Sequence, residues 1–338
     1  MHFPVGKKGA FGRQTGVLKA VDGVSFTIYA GETLGLVGES GSGKTTVGRA
    51  LLRALKPTAG SVILHNNGES VDVTKLRRRD LRGIWRNMQM IFQDPYASLN
   101  PRMTVADIIG EPLLAHGIAK GAELKERVVE IARRCGFNVD HLNRYPHAFS
   151  GGQRQRVAVA RALILHPMFV VCDEPVSALD VSIQAQVLNL LKELQGRFDL
   201  TYLFIAHDLA TVAYACDRVA VMYLGQLVEV APTEKLFNAP KHPYTEALMS
   251  AIPVANPDQE LDPVQLKGEP PNPSNPPIGY RFHTRCSYVR DHCRQAPPAL
   301  EEVVSEHFVA CHFAREIQLK GAVEHAAARS SRVTPSAT

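Results

Sequence analysis

Short runs of aliphatic, β-branched and aromatic residues recur between residues 17 and 252, and they alternate with segments in which hydrophobic residues recur every three or four positions. Runs of the first kind predict strands, and segments of the second kind predict helices. The predicted strands are Val24–Tyr29, Thr33–Val37, Met88–Phe92, Phe169–Cys172, Tyr202–Ile205 and Arg218–Met222. The predicted helices are Thr45–Leu55, Leu124–Cys135, Gln153–Leu165 and Ile183–Leu194. This alternation indicates an α/β fold with a mostly parallel sheet that is covered on both faces.

The composition changes after this region, where 13 of the 22 prolines lie between Ala231 and Leu300. Because proline lacks an amide donor and fixes φ, the proline-rich run at Gly268–Pro277 is predicted to form neither a helix nor a central strand. We therefore predict one domain at residues 1–255 and a small, irregular domain at residues 256–325. Residues 326–338 are polar and are predicted to be a disordered tail.

The overall composition excludes several classes of protein. With 338 residues, 45% hydrophobic and 21% charged, the chain is neither fibrous nor wholly disordered. A net charge of +5 falls short of the concentrated charge of a dedicated nucleic-acid-binding protein. The most apolar stretch, residues 157–172, is too short for a membrane span, and the first residues lack the apolar segment of a secretory signal. We therefore expect a cytosolic protein.

One segment matches the phosphate-binding pattern G-x-x-x-x-G-K-[ST] between a predicted strand and a predicted helix. Its glycines allow backbone amides to point at an anion, and the helix N-terminus adds partial positive charge. Lys44 is predicted to bridge the β- and γ-phosphates of a nucleotide, and the Thr45 hydroxyl to bind Mg²⁺. The alternative is a structural glycine-rich turn. The predicted nucleotide-binding residues here are Gly38, Glu39, Ser40, Gly41, Ser42, Gly43, Lys44, Thr45 and Thr46.

A pair of acidic residues supplies the second half of the predicted nucleotide site. The apolar run from Phe169 ends in Asp173, which is followed directly by Glu174. A buried strand would bring Asp173 beside the phosphate loop, where it would hold Mg²⁺ directly or through water. Glu174 is predicted to orient or deprotonate the attacking water. Alone, this pair would indicate only the end of a strand.

The sequence SGGQRQRVAVARAL begins at Ser150. Together with the phosphate loop, Gln93, the Asp173–Glu174 pair, residues 177–180 and His207, it resembles the ATP-binding subunit of an ATP-binding cassette (ABC) transporter. The motifs follow that family's order over residues 17–230. The resemblance implies an α/β P-loop ATPase with a RecA-like core, an antiparallel β subdomain and a helical subdomain, followed by a small irregular C-terminal extension.

The resemblance also implies a role for each matching residue. Two subunits would face head to tail, so that the signature of one chain contacts the ATP held by the other. The signature residues are Ser150, Gly151, Gly152 and Gln153. Asp180 would cross the dimer interface, Glu174 would be the general base and His207 would contact the γ-phosphate. Gln93 would sense Mg²⁺ and the attacking water. The structural alternative for the signature is a helix start capped by serine, which is compatible with this role.

An aromatic residue normally stacks on adenine in this family. Val17 and Leu18 occupy the usual region here, so Phe11 is the nearest upstream candidate. The match to the family is therefore weakest at the adenine.

Three further segments resemble the dipeptide/oligopeptide/nickel importer branch of the family. They are residues 93–101 (QDPYASLNP), residues 145–147 (YPH), and residues 268–286 with the cysteines that follow. The N-terminal residues resemble the second of the two paired ATPases of such importers. On this resemblance, residues 1–255 are the nucleotide-binding domain and residues 256–325 the C-terminal domain of the branch.

Many relatives in this branch bind an iron–sulfur cluster through four cysteines. Three positions match here, namely Cys286, Cys293 and Cys311, whereas Tyr280 stands at the fourth. Because clusters usually need four thiolates, a loop domain without metal is favoured. The alternative is a cluster in which His283 or His312 supplies the fourth ligand.

These observations together predict an ATPase subunit of a di- or oligopeptide importer that uses ATP and Mg²⁺. The implied partners are a homologous ATPase subunit, two transmembrane permease subunits and, indirectly, a periplasmic substrate-binding protein. The chain would then lie peripherally at the cytoplasmic face of the inner membrane. The alternative function is a soluble ABC ATPase that acts on nucleic acid or ribosomes, although the chain has neither a second cassette nor a long coiled-coil insertion. A further alternative is a regulatory iron–sulfur protein that binds ATP without useful turnover. The presence of the expected catalytic residues Glu174 and His207 argues against it.

Overall fold

The computed structural model of the chain describes residues 1–5, 16–66, 68–252 and 263–325. The strands in these ranges are β1 (His2–Val5), β2 (Gly16–Lys19), β3 (Thr33–Val37), β4 (Ile63–Asn66), β5 (Glu69–Asp72), β6 (Met88–Ile91), β7 (Phe169–Asp173), β8 (Thr201–Ile205), β9 (Arg218–Tyr223), β10 (Gln226–Pro232), β11 (Glu301–Val304) and β12 (His307–Val309). The helices are α1 (Lys44–Leu51), α2 (Leu81–Asn87), α3 (Pro95–Ser98), α4 (Val105–His116), α5 (Gly121–Arg134), α6 (Gly151–Leu163), α7 (Val181–Phe198), α8 (Leu209–Ala215), α9 (Thr233–Asn238), α10 (Pro243–Ser250) and α11 (Asp291–Gln295).

These elements form two compact units. The first contains the described residues up to Phe26, Leu34–Val47 and those from His207 onwards. The second contains Thr27–Thr33 and Gly48–Ala206.

The first unit is built on a mixed sheet in the order β11-β12-β10-β9-β3. Strands β3 and β9 are parallel, with Leu34 opposite Arg218 and Val37 opposite Val221. The other neighbours in this series are antiparallel. All five residues of β3 are buried, as is typical of a parallel strand covered on both faces. Strands β1 and β2 form a separate antiparallel ribbon in this unit.

The second unit contains the parallel strands β6, β7 and β8, with β7 in the centre. Its largest helical cluster is centred on α6, which packs against α4, α5 and α7. Nine of the thirteen residues of α6 are buried, and they lie on all sides of the helix. Helix α6 is therefore an interior element whose N-terminus is held in a fixed position.

Most of the predicted elements match the structure. Strand β3 has the predicted bounds, and the bounds of β6 to β9 differ by one residue at an end. The predicted strand Val24–Tyr29 is wrong. These residues alternate between more and less exposed positions, as the pattern predicted, but they form no ladder with a described strand, and a turn follows in which Tyr29 N–H donates to Glu32 Oε1 (2.9 Å).

Several expectations concern residues outside the described ranges. These are the adenine candidate Phe11, the domain boundary at residue 255 and the tail at residues 326–338. None of the helices in the described part of the chain combines the length and hydrophobicity that a membrane crossing requires.

Candidate active site

The predicted phosphate loop connects the end of β3 to the start of α1 in the first unit. Gly38 and Gly43 both have positive φ, 146° and 106°. A Cβ atom at Gly38 would lie 2.1 Å from Met222 O, and one at Gly43 would lie 2.2 Å from Ala20 O. Only glycine fits at these two positions, because the neighbouring backbone occupies the space that any side chain would need. The loop therefore keeps the curled backbone that an anion site requires.

The side chain of Lys44 lies inside this loop. Lys44 is only 5% exposed, and its Nζ donates to the carbonyl oxygens of Gly38 (2.7 Å) and Glu39 (3.0 Å). Ser42 Oγ is buried and has no hydrogen-bond partner among the described residues. A buried ammonium, an unsatisfied hydroxyl and the N-terminus of α1 together form a site that fits the phosphates of a nucleotide. Thr45 and Thr46 follow on the first turn of α1.

Glu39 is held in place by residues that the sequence analysis did not identify. Its N–H donates to Tyr244 Oη (2.9 Å), and Arg285 Nη1 donates to both of its carboxylate oxygens (3.0 and 2.9 Å). These partners lie 205 and 246 residues away along the chain. No local pattern of the sequence identifies contacts at such separations.

His207 also belongs to the first unit. It is exposed and precedes α8, whose N-cap residue Asp208 accepts a hydrogen bond from Ala210 N–H (2.9 Å). The cap fixes the backbone directly after the histidine. An exposed ring on a fixed backbone is suited to contact a bound ligand.

The second unit brings Gln93 and Glu174 together. Gln93 follows β6 and Glu174 follows β7, and the carboxyl ends of these neighbouring parallel strands lie at one edge of the sheet. Gln93 Nε2 donates to Glu174 Oε2 at 2.8 Å. Glu174 has a φ of 47°, which is uncommon for a residue other than glycine. Its N–H donates to Ile205 O (2.9 Å). Strain of this kind concentrates at functional sites. Asp173, the last residue of β7, is 3% exposed.

The predicted signature forms the N-terminus of α6 in the second unit. Ser150 Oγ accepts from Gln153 N–H (3.4 Å), and Gln153 Oε1 accepts from Ser150 N–H (3.0 Å), which makes a capping box. A Cβ atom on Gly152 would come within 2.4 Å of Ile183 Cγ2, so the signature packs closely on α7. Asp180 is exposed at the N-cap of α7, and its side chain makes no capping hydrogen bond.

The loop after Gln93 is fixed against α6. Arg154 places its guanidinium carbon 3.6 Å from the centre of the Tyr96 ring, and Arg161 donates to Ser98 O (3.2 Å). A groove of about 290 Å³ lies next to this loop and has a mainly apolar lining. Phe92 lines the groove and is 41% exposed, so an apolar side chain there faces solvent. This surface is suited to receive a protein partner.

The residues present do not fit an iron–sulfur cluster. Tyr280 is buried at the fourth position, and its hydroxyl lies 2.6 Å from His242 Nε2. Burial, and then the neighbouring thiols of Cys311 and Cys286, raise the pKa of Tyr280 well above its ordinary value. Burial also raises the pKa of the Cys286 thiol to about 11. A cluster usually needs four thiolates, and the buried phenol of Tyr280 stands where the fourth would be.

The two alternative ligands are engaged elsewhere. His283 Nδ1 donates to Tyr280 O (2.7 Å), and His312 Nε2 donates to Ala296 O (3.0 Å). Within residues 1–5, 16–66, 68–252 and 263–325, no group of three or more His, Cys, Asp or Glu side chains is arranged to hold a metal ion.

The predicted site residues divide between the two units. Gly38 to Thr46 and His207 lie in the first, whereas Gln93, the signature, Asp173, Glu174 and Asp180 lie in the second. The loop residues lie together in the first unit, and Gln93 and Glu174 lie together in the second. The supporting residues Tyr244 and Arg285 extend this set.

Comparisons with known proteins agree with these observations. A sequence model of the family described as "ABC transporter" matches residues 21–177, and one described as "Oligopeptide/dipeptide transporter, C-terminal region" matches residues 228–293. The oligopeptide transport ATP-binding protein AppF of Bacillus subtilis (strain 168) is 50% identical over 314 residues, which cover 92% of this chain and 94% of AppF. OppF of the same organism, also an oligopeptide transport ATP-binding protein, is 59% identical over 256 residues, which cover 75% of this chain and 83% of OppF.

A solved structure is similar as well. The ATP-binding cassette MJ0796, in a dimeric post-hydrolysis state bound to ADP and Pi, aligns with a TM-score of 0.58 and 27% identity over 65% of this chain and 94% of that chain. The predicted P-loop ATPase fold of the ABC type is thereby confirmed. This chain belongs to the ABC transporter family of ATP-hydrolysing subunits, in the branch that carries the oligopeptide/dipeptide transporter C-terminal region.

Proposed function

We propose that this chain hydrolyses ATP to drive the import of di- or oligopeptides by a membrane transporter. Two relatives named for oligopeptide transport are 50% and 59% identical to it, which supports this substrate class. These relatives give no support to the alternative partners, nucleic acid and ribosomes. In this proposal, a periplasmic binding protein and the membrane subunits select the peptide.

The hydrogen bond between Gln93 and Glu174 is the observation that carries the hydrolytic role. Because the amide of Gln93 is the donor, the Glu174 carboxylate is an acceptor that can take the proton of a water molecule. Gln93 restricts the rotamer of this carboxylate, so the base is oriented before a nucleotide is bound. We assign Glu174 as the general base and Gln93 as the residue that orients the attacking water.

The phosphates are assigned to the loop from Gly38 to Thr46. Lys44 would exchange its two carbonyl partners for oxygens of the β- and γ-phosphates and would stabilise the charge that develops there. His207 would contact the γ-phosphate. Ser150 and the amides of Gly151 and Gly152, at the capped N-terminus of α6, would bind the γ-phosphate held by a partner ATPase, and Gln153 would keep the cap closed.

Thr45, Asp173 and Gln93 would hold Mg²⁺. They offer hydroxyl, carboxylate and amide oxygens, which are the donors that this hard cation prefers. Mg²⁺ would supply charge neutralisation at the β- and γ-phosphates. Asp180, exposed at the start of α7, is assigned to the interface between two ATPase subunits.

The groove next to the loop after Gln93 is assigned to a membrane subunit. Its apolar lining and the exposed Phe92 suit an amphipathic helix of that partner, and the loop next to it is held by α6, which begins at the signature. Movement of the membrane subunit would thus be transmitted to both Gln93 and the signature. In this proposal the chain lies at the cytoplasmic face of the membrane, together with two permease subunits and a second ATPase.

The proposal is tested by affinity purification of the full chain from mildly solubilised membranes of its host, followed by mass spectrometry. We expect two polytopic membrane proteins and a second ATPase in amounts comparable with the bait. Peptide uptake by vesicles that contain this assembly should depend on ATP. Recovery of ribosomal or DNA-repair proteins without a membrane partner would overturn the transport function and leave the ATPase assignment in place.

A further inference from the structure

Glu39, the second residue of the phosphate loop, is fixed at each of its polar groups. Its carbonyl oxygen accepts from Lys44 Nζ (3.0 Å) and from Ser42 N–H (3.1 Å). Its N–H donates to Tyr244 Oη, and its carboxylate accepts both hydrogen bonds from Arg285 Nη1. The first two contacts lie within the loop. The other two come from residues 228–293, which we call the C-terminal region.

Arg285 is built into the structure rather than placed on its surface. Its side chain is 8% exposed and that of Glu39 is 29% exposed. The guanidinium also lies 5.8 Å from the centre of the Tyr223 ring. Removing Glu39 would leave the buried Arg285 charge without its partner, which costs far more than the loss of a surface ion pair.

Tyr244 is held by aromatic packing. Its ring lies 4.8 Å from that of Tyr223 and 5.5 Å from that of Phe282, measured between ring centres. The hydroxyl is therefore aimed at Glu39 by rings of the same unit. Phe282 belongs to the same short segment as Arg285.

A second arginine of that segment supports the other side of the loop. Arg281 donates to Leu224 O and to the Asp22 carboxylate. Asp22 N–H donates to Gly225 O (2.8 Å), and Gly225 N–H donates to Ser42 O (2.9 Å). Arg281 thus reaches the loop through a relay, whereas Arg285 reaches it directly.

The geometry points to Arg285 and Tyr244 as positioning residues for nucleotide binding, through which the C-terminal region sets the affinity of the phosphate loop for ATP. Lys44 must leave the carbonyl oxygen of Glu39 when it turns to the phosphates. Glu39 then remains held by Ser42 N–H and by the two contacts from the C-terminal region. A loop ordered in advance binds more tightly because less conformational entropy is lost on binding. This inference rests on the proposed role of the loop as the ATP phosphate site.

The test is a fluorescence titration of the full chain with a fluorescent ATP analogue. Arg285→Gln should weaken binding on the order of tenfold, whereas kcat of the assembled transporter at saturating ATP should change less than twofold. Arg290→Gln is the matched control, because Arg290 forms an exposed ion pair with Glu316 (2.7 Å) in the same unit and does not contact the loop. The control should bind the analogue as the wild type does.

A second set of variants separates positioning from general stability. Glu39→Gln should weaken binding to a similar degree, and the double variant should be no weaker than either single variant, because both substitutions remove the same contact. Arg285→Lys, which retains the charge, should recover part of the affinity. The rise in melting temperature caused by ATP should be smaller in Arg285→Gln than in the wild type at equal ATP.

Three outcomes distinguish the hypotheses. Wild-type affinity and an unchanged ATP-induced rise in melting temperature in Arg285→Gln would overturn this inference alone. Additive losses in the double variant would also overturn it, since the two residues would then act separately. If Lys44→Ala binds the analogue as tightly as the wild type does, the loop is not the phosphate site, and the proposed function of the loop fails together with this inference.

Discussion

The amide of Gln93 donates a hydrogen bond of 2.8 Å to the carboxylate of Glu174, although 81 residues separate them along the chain. The two residues follow adjacent parallel strands, so the contact is a direct consequence of the sheet order. Because this contact joins the assigned base to the loop beside the groove, it offers a direct route by which a partner protein would control hydrolysis.

We predict that Glu174→Gln reduces ATP hydrolysis by about 10²–10⁴-fold, the usual contribution of a general base. The amide retains the shape of the side chain and cannot accept the proton of water at neutral pH. Nucleotide binding should stay within about threefold of wild type, because binding depends on the phosphate loop. Phosphate release and equilibrium titration measure the two quantities, and hydrolysis at the wild-type rate would exclude Glu174 as the base.

The groove assignment predicts that Phe92→Asp weakens association with the membrane subunits. A charge would be placed on an apolar surface that the partner must cover, which opposes burial. Co-purified permease should fall several-fold, whereas nucleotide affinity of the isolated chain should not change. Tyr29→Asp is a matched control, since Tyr29 is also exposed and lies outside the groove. Equal recovery of permease with Phe92→Asp and wild type would show that the partner binds elsewhere.

His242 predicts a defined dependence of stability on pH. Its Nδ1 accepts from Tyr244 N–H (3.0 Å), so Nε2 carries the proton and donates to the Tyr280 hydroxyl. Burial lowers the pKa of His242 from 6.5 to about 3. Between these values the unfolded chain binds a proton that the folded chain does not, so the free energy of unfolding falls as the pH falls, by up to about 1.4 kcal/mol per pH unit.

Urea unfolding between pH 7.5 and pH 5 measures this slope. His242→Asn keeps an acceptor at the N-cap of α10 and removes the titrating ring, so its slope should be shallower than that of the wild type. Equal slopes for the two proteins would mean that His242 is not a source of the acid sensitivity.

The residues around Cys286, Cys293 and Cys311 predict a negative result in metal analysis. The chain, purified without oxygen, should contain neither stoichiometric iron nor acid-labile sulfide, because Tyr280 stands in place of the fourth thiolate and both alternative histidines are hydrogen-bonded to backbone carbonyls. Cys286→Ser, as a comparison, should leave the absorption spectrum unchanged. If a folded sample contains stoichiometric iron and sulfide, and Cys286→Ser loses them, the chain does bind an iron–sulfur cluster and this prediction is wrong.

The sequence was most informative where function depends on a local pattern. The phosphate loop and the strands before it and before Asp173 were predicted because buried parallel strands are continuous apolar runs and the loop requires glycine at fixed positions. Helix α4 was missed because Gly110 and Pro112 interrupt its pattern, whereas Thr104 caps it and the surrounding helices support it. Arg285 and Tyr244 were missed because only the folded chain brings them to Glu39.

Strand β12 has a consequence for any shortened form of the protein. It pairs with β10. Its residue His307 places Nε2 2.6 Å from Oε1 of the fully buried Glu229. The Glu229 carboxylate also accepts a hydrogen bond from Lys241 N–H (2.6 Å). A chain truncated before residue 300 would leave β10 as an uncovered edge strand with a buried carboxylate that has lost a partner. Uncovered edges of this kind pair with other chains and cause aggregation. A chain shortened in this way would therefore be a poor reagent for crystallisation or drug screening. Expression of this ATPase should retain the residues from 300 onwards.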